Sequence, residues 1–93
     1  MADAGIQYRL DLIVRLVDTT TGEPIPERQT VFMENGGVLF FLERGMGVYI
    51  LLNHGRQDTR FQVKTAGFEP ESFPVCYGEL DSRLPTVTLY LMP

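Results

Sequence analysis

The stretch Tyr8-Arg-Leu-Asp-Leu-Ile-Val-Arg-Leu-Val17 decides the fold class, because its apolar residues recur at every second position. Every even-numbered residue in it is apolar, whereas the odd-numbered residues include Arg9, Asp11 and Arg15. An alternation with a period of two places the even-numbered side chains on one face of an extended chain. The stretch therefore predicts a β-strand with one buried face and one solvated face.

The rest of the chain contains further short β-type runs separated by turn residues. Strands are predicted at residues 29–34, 38–43, 48–52, 59–65, 72–77 and 86–91. Asn35-Gly36-Gly37 predicts a hairpin turn after the first of these runs, because asparagine and glycine tolerate positive φ. Pro74 places the 72–77 strand at a sheet edge, since proline has no amide hydrogen to donate to a neighbouring strand.

Seven short strands with turns roughly every 8–12 residues predict an all-β, seven-stranded antiparallel Greek-key sandwich. No stretch sustains a helical period between capping signals, so little or no helix is expected. A chain of 93 residues has the length of one domain, and residues 1–93 are predicted to form a single β-sandwich. Because the chain stops directly after its last strand, we expect an N-terminal domain cut from a longer protein.

Four short segments follow the first strand in a particular order. They are Asp18-Thr-Thr-Thr-Gly-Glu-Pro-Ile-Pro26, Gly47-Val-Tyr49, Ala66-Gly-Phe68 and Val87-Thr-Leu-Tyr-Leu91. This order resembles that of the transthyretin-like (prealbumin-like) sandwiches, which include carboxypeptidase regulatory-like domains and the repeat domains of bacterial adhesins. The chain departs from them at Arg44-Gly-Met-Gly47, where an acidic turn is usual. The resemblance implies a non-catalytic spacer, linker or binding module.

Two reactions carried out by domains of that group need residues that this chain does not have. The intramolecular crosslink of adhesin repeats needs a lysine in the first strand and an asparagine in the last, and neither strand contains one. The related ureide hydrolases need several histidines, whereas this chain has only His54, in a loop that we interpret as a solvated turn. We therefore expect no enzymatic activity, and no catalytic, cofactor-binding or metal-binding residue is predicted.

The charge and hydropathy patterns narrow the possible partners. The net charge is −4, and the arginines are scattered among acids, so the basic stripe needed for nucleic-acid binding is absent from the sequence. No apolar run approaches the roughly 20 residues of a membrane-spanning helix, so no membrane insertion is expected. Met1–Gly5 shows no signal-peptide pattern, and a cytoplasmic location is expected if the chain is complete. A single cysteine, Cys76, rules out an internal disulfide.

The segment 38–52 is apolar on both of its predicted faces. If Gly45-Met46 is a two-residue turn, Phe40 and Leu42 share one face with Tyr49 and Leu51. The opposite face then consists of five apolar residues, namely Leu39, Phe41, Val48, Ile50 and Leu52. Monomers rarely expose an apolar patch above a few hundred Å². This face is therefore predicted to be an interaction surface anchored by Phe41, covered by a neighbouring domain of the same chain or by a second copy. The alternative is a local cover, such as the loop 67–74.

These observations predict a non-catalytic structural or protein-interaction module of a larger, bacterial protein. The alternative is a carbohydrate-binding module in which Tyr8, Tyr77 or Tyr90 stacks on sugar rings. Aromatic residues at alternating strand positions belong more often to a core, which favours the first interpretation.

Overall fold

The computed structural model describes residues 7–93, which form two four-stranded β-sheets with one shared hydrophobic core. Met1–Gly5, considered above for a signal peptide, lies outside the described residues. The strands are β1 Leu10–Asp18, β2 Thr30–Glu34, β3 Gly37–Leu39, β4 Leu42–Glu43, β5 Val48–Leu52, β6 Thr59–Thr65, β7 Glu71–Val75 and β8 Thr86–Leu91. Within residues 7–93 the only helical element is a 3₁₀ turn at Tyr77–Glu79. The predicted all-β sandwich with almost no helix is confirmed.

Strand β1 is a central strand of the first sheet, whose order is β4-β5-β1-β8. Its Leu12, Val14 and Leu16 are buried, and Arg15 between them is exposed, as the alternation predicts. Strand β1 is antiparallel to β5 but parallel to β8. The prediction of purely antiparallel sheets is therefore wrong for this pair. The two strands lie at opposite ends of the chain, so no tight hairpin forces them into antiparallel pairing.

The predicted strand at residues 38–43 is divided between the two sheets. Strand β3 pairs with β2 in the second sheet, whose order is β3-β2-β6-β7, whereas β4 pairs with β5 in the first. The chain crosses from one sheet to the other at Phe40 and Phe41. The described residues consequently contain eight strands rather than the predicted seven.

The two turns on either side of this crossing have different lengths. Asn35 and Gly36 have φ values of 50° and 80°, and Glu34 pairs with Gly37, so the predicted hairpin turn is confirmed and its loop has two residues. In the second turn the Arg44 amide donates to the Val48 carbonyl at 2.8 Å, so three residues, 45–47, separate the paired positions. The predicted turn, Gly45-Met46, had two. Gly47 is the added residue. It has a φ of 75°, and a Cβ there would lie 2.5 Å from the Leu16 carbonyl oxygen, so only glycine fits without strain.

The burial of β1 sets a test of the fold. Val14→Asp is expected to lower the free energy of unfolding by about 3–5 kcal/mol, because it places an unpaired carboxylate in the core. Arg15→Asp, one position along on the solvated face, is expected to cost less than about 1 kcal/mol. Thermal and urea unfolding measure both values. Equal losses would show that the register of β1 is wrong.

Candidate functional site

The outer side of the first sheet carries a row of apolar side chains beside the exposed Arg15, which pairs with Val48. Ile13 of β1 pairs with Ile50 of β5, and Ile50 pairs on its other side with Leu42 of β4. Paired residues of adjacent strands project from the same face of a sheet. Val48 and Leu52, two positions from Ile50 in either direction, extend this face along β5. We call Ile13, Leu42, Val48, Ile50 and Leu52 the outer apolar face.

The structure brings together three of the five residues predicted for an interaction surface. Val48, Ile50 and Leu52 lie on the outer apolar face, and all three are partly exposed. Leu39 lies on β3 in the other sheet, and Phe41 lies at the crossing between the sheets. Both side chains pack against the core. Placing all five on one face was wrong, because the chain crosses between the sheets after Leu39 and because the extra loop residue Gly47 shifts the register of β4 against β5 by one position.

The same register shift explains what the sequence interpretation missed. Leu42 was assigned to the face of Tyr49 and Leu51, yet it projects outward and is 50% exposed. The residues 67–74, considered as a local cover, include the turn between β6 and β7 of the second sheet. That turn reaches the first sheet through a hydrogen bond from the Glu69 amide to the Met92 carbonyl.

The outer side of the second sheet differs in character. Strands β6 and β7 present mainly polar side chains there, namely Arg60, Gln62, Lys64 and Ser72. Val31 and Met33 of β2 lie on the same side, and Met33 pairs with the exposed Val38 of β3. The outer side of the second sheet is therefore divided between polar strands and apolar ones.

A fully buried carboxylate lies at the end of the sandwich where β1 begins. The register of β1 against β5 shifts between Leu10 and Leu12, and such an irregularity can turn a side chain towards the interior. Asp11 there accepts hydrogen bonds from Arg9 at 2.9 and 3.1 Å and from Arg56 at 3.3 Å. It also accepts the amide hydrogens of His54 and Gly55, both at 2.7 Å.

These contacts determine the charge of Asp11. Burial alone raises its pKa, but the hydrogen bonds from Arg9, Gly55, His54 and Arg56 outweigh burial and hold the pKa well below its usual range. The carboxylate stays ionised, and its oxygens are occupied by donors. Asp11 therefore serves to fix the loop 53–58 against β1 rather than to exchange protons.

Further hydrogen bonds join three segments around Asp11. Arg56 donates to the carbonyls of Leu10 and Ser82, both at 2.7 Å, and the Tyr77 hydroxyl donates to the Asp11 carbonyl at 2.7 Å. The start of β1, the loop 53–58 and the segment 77–82 are thereby held together. Sequence reasoning placed Asp11 on the solvated face. The available signal was the Arg9–Asp11 pair, an acid inside a strand two residues from a base.

The cleft beside this network is lined by residues of turns and loops. Its volume is about 680 Å³, and its lining is polar, formed by Glu34, Asn35 and residues 54–59. His54 Nε2 lies 2.9 Å from one Glu34 oxygen, and the Thr59 hydroxyl donates to the other at 2.7 Å. A nucleophilic triad needs its hydroxyl bound to the imidazole rather than to the acid. Within residues 7–93 no group of three His, Cys, Asp or Glu side chains is placed to hold a metal ion.

The tyrosines considered for sugar stacking are far apart. Tyr77 is partly buried and bonded to Asp11, whereas Tyr8 and Tyr90 are exposed. Tyr8 precedes β1, and Tyr90 pairs with Val17 near the other end of that strand. At about 3.3 Å per residue the two are separated by roughly 30 Å. They do not form one stacking platform.

In comparisons with protein-family models, with curated proteins and with solved structures, no match to this chain was found. The resemblance to transthyretin-like domains thus stays a prediction from the quoted segments. No helix within residues 7–93 has the length and hydropathy needed to cross a membrane.

Proposed function

We propose that this chain is a non-catalytic structural or protein-interaction module and that the outer apolar face is its contact surface. The observation that carries the proposal is the row of Leu42, Ile50 and Ile13, which crosses three strands on the outside of the first sheet. Leu42 is half exposed and Ile13 and Ile50 are partly exposed, and clusters of accessible apolar side chains mark protein contact sites.

The finer assignment is that of a transthyretin-like Greek-key domain in a larger, bacterial protein. It is supported by the order of the segments quoted above and is compatible with the two-sheet architecture. In this role the domain presents a contact surface to another protein or domain, and its buried polar groups stabilise the fold. The Asp11 network is an example, because every buried side-chain polar atom in the described part of the chain has a hydrogen-bond partner.

The size of the face limits the kind of contact that it supports. An apolar patch of about 300 Å², an ordinary size for a monomer, contributes about 7.5 kcal/mol when buried, at about 25 cal/mol per Å². Association of two free molecules costs about 4–15 kcal/mol, because translational and rotational freedom is lost. The outer apolar face alone therefore suits a neighbouring domain held nearby by the chain, or a partner that also binds elsewhere.

Dye binding tests this function. Wild-type protein is expected to bind anilinonaphthalene sulfonate in its folded state, and Leu42→Lys and Ile50→Lys are expected to weaken that binding several-fold. Val38→Lys is the matched control, because Val38 is exposed to a similar extent on the other sheet. Circular dichroism checks that each variant is folded.

Two results would contradict the proposal. Dye binding that is lost in Val38→Lys and kept in Leu42→Lys would move the contact surface to the second sheet. Saturable binding to an oligosaccharide on a glycan array, abolished by Tyr90→Ala, would replace it with the carbohydrate-binding alternative.

A further inference from the structure

The outer edge of β8 presents unpaired backbone groups. The Ile13 amide donates to the Pro85 carbonyl at 2.7 Å, and the Thr19 amide donates to the Leu91 carbonyl at 3.0 Å. In a parallel pair this pattern turns the backbone groups of odd-numbered β8 residues towards β1. Those of Thr86, Thr88 and Tyr90 consequently point away from it. No strand of the described chain, residues 7–93, pairs with that side of β8.

The other sheet edges are protected in ways that β8 is not. Strands β3 and β4 have only three and two residues. Strand β7 contains Pro74 and begins with Glu71, and proline and charge both discourage the addition of a strand. Strand β8 has six residues, Thr-Val-Thr-Leu-Tyr-Leu, without proline or charge. It is the described edge that is best suited to pair with another chain.

The exposed apolar residues near this edge fit a second copy of the same strand. Leu84, Tyr90 and Met92 are 59%, 62% and 63% exposed. An antiparallel pair centred on Thr88 places Tyr90 opposite Thr86 of the other copy, and one two-fold symmetric register treats both copies alike. Leu84, in the bend before β8, and Met92, directly after β8, flank the paired residues.

We propose that two copies of this chain associate through antiparallel pairing of β8 with β8, centred on Thr88. The three outward residues of each copy supply donors and acceptors for about six hydrogen bonds across the two-fold axis. The first sheets of the two copies then form one eight-stranded sheet. The inference rests on the proposed interaction role, and it names the partner as a second copy.

Pairing stops at the end of β8 for a structural reason. The Met92 carbonyl accepts a hydrogen bond from the Glu69 amide at 2.7 Å, so it is turned towards the second sheet. The backbone pairing is thus confined to Thr86–Tyr90, and Met92 contributes its side chain only. In the joined sheet the outer apolar faces of both copies lie on the same side, which doubles the surface offered to a larger partner.

A charge-swap experiment at Thr88 tests the pairing, because this residue faces its own symmetry mate. Wild type is expected to form a dimer in sedimentation velocity. Thr88→Lys is expected to raise the dimer dissociation constant about tenfold, since like charges then face each other. Thr88→Glu is expected to raise it less, because Arg15 pairs with residue 88 and lies beside the new carboxylate. An equimolar mixture of the two variants is expected to recover the dimer as a heterodimer. Ser72→Lys on the edge strand β7 is the control and is expected to behave as wild type.

The outcomes separate this inference from the proposed function. A wild type that is monomeric at all concentrations, or a mixture of the Thr88 variants without recovery, overturns the β8 pairing. If Leu42→Lys abolishes the dimer and neither Thr88 variant affects it, the copies associate through the outer apolar face. The proposed interaction role then stands and the β8 pairing fails. Loss of native dye binding at the outer face has no bearing on β8.

Discussion

Replacing Asp11 with asparagine is expected to lower the free energy of unfolding by about 2–4 kcal/mol, although the two side chains have nearly the same size. The carboxylate of Asp11 accepts bonds from two arginines and from the amides of His54 and Gly55. An asparagine side chain keeps one acceptor oxygen, and its amide group would face donors. Both backbone amides donate to the same carboxylate oxygen, so an asparagine carbonyl placed there keeps them, and the asparagine amide group then faces the Nε groups of Arg9 and Arg56. Arg9 is largely solvent-exposed and is expected to rehydrate, so most of the loss comes from removing the negative charge beside Arg56.

Urea unfolding followed by circular dichroism measures this loss, and Asp81→Asn provides the matched control. Asp81 also accepts two backbone amide hydrogens, from Arg83 and Leu84, but in an exposed turn. Its substitution is expected to cost less than about 1 kcal/mol. Similar losses for the two variants would mean that the Asp11 network contributes no more than a surface turn.

The same carboxylate produces a pH dependence with a definite sign. The pKa of Asp11 is lower in the folded protein than in the unfolded chain, where it is about 3.9. Its stabilising contribution is therefore complete above that value and is lost as the pH falls towards the folded-state pKa. Wild type is expected to lose stability more steeply below about pH 4 than Asp11→Asn does. Parallel pH profiles of the two proteins would contradict this assignment.

Those parts of the fold that depend on local patterns could be predicted from the sequence. The alternation in residues 8–17 fixed the buried side of β1, and the positive φ tolerated by Asn35 and Gly36 fixed a hairpin turn. The missing amide hydrogen of Pro74 placed β7 at an edge. Each of these signals acts within a few residues, so no tertiary information was needed.

The parts that depend on contacts between distant segments could not be predicted in this way. Residues 38–43 read as one strand because both sheets favour the same residue types, and a period of two does not tell which sheet a residue joins. The length of the turn at Gly47 is set by its approach to the Leu16 carbonyl, thirty-one positions earlier in the numbering. Asp11 is buried because arginine and backbone donors from residues 53–56 reach it, which the spacing along the chain does not reveal.

The substitution of Phe41 by glutamate tests the corrected position of the crossing between the sheets. The sequence interpretation made Phe41 the anchor of an exposed surface, so that Phe41→Glu would leave the fold intact and abolish self-association. In the structure its ring stacks on Phe32 with centroids 4.0 Å apart and meets Phe61 edge-on at 6.2 Å. Phe41 is partly buried against the core, so its loss is expected to cost about 2–4 kcal/mol, and an unpaired carboxylate among these rings adds to that cost.

Phe40→Glu is the matched control, because Phe40 is the adjacent residue, has the same side chain and is 88% exposed. A change on this surface is expected to alter the free energy of unfolding by no more than about 0.5 kcal/mol. Small domains have only about 5–10 kcal/mol of total stability. Phe41→Glu is therefore expected to be largely unfolded in mild urea, where wild type and Phe40→Glu remain folded. The opposite order of stabilities would restore the two-residue turn at Gly45-Met46 and move Phe41 to the surface. That result would also shift Leu42 into the core and remove it from the outer apolar face, so these two variants test the register on which the contact surface depends.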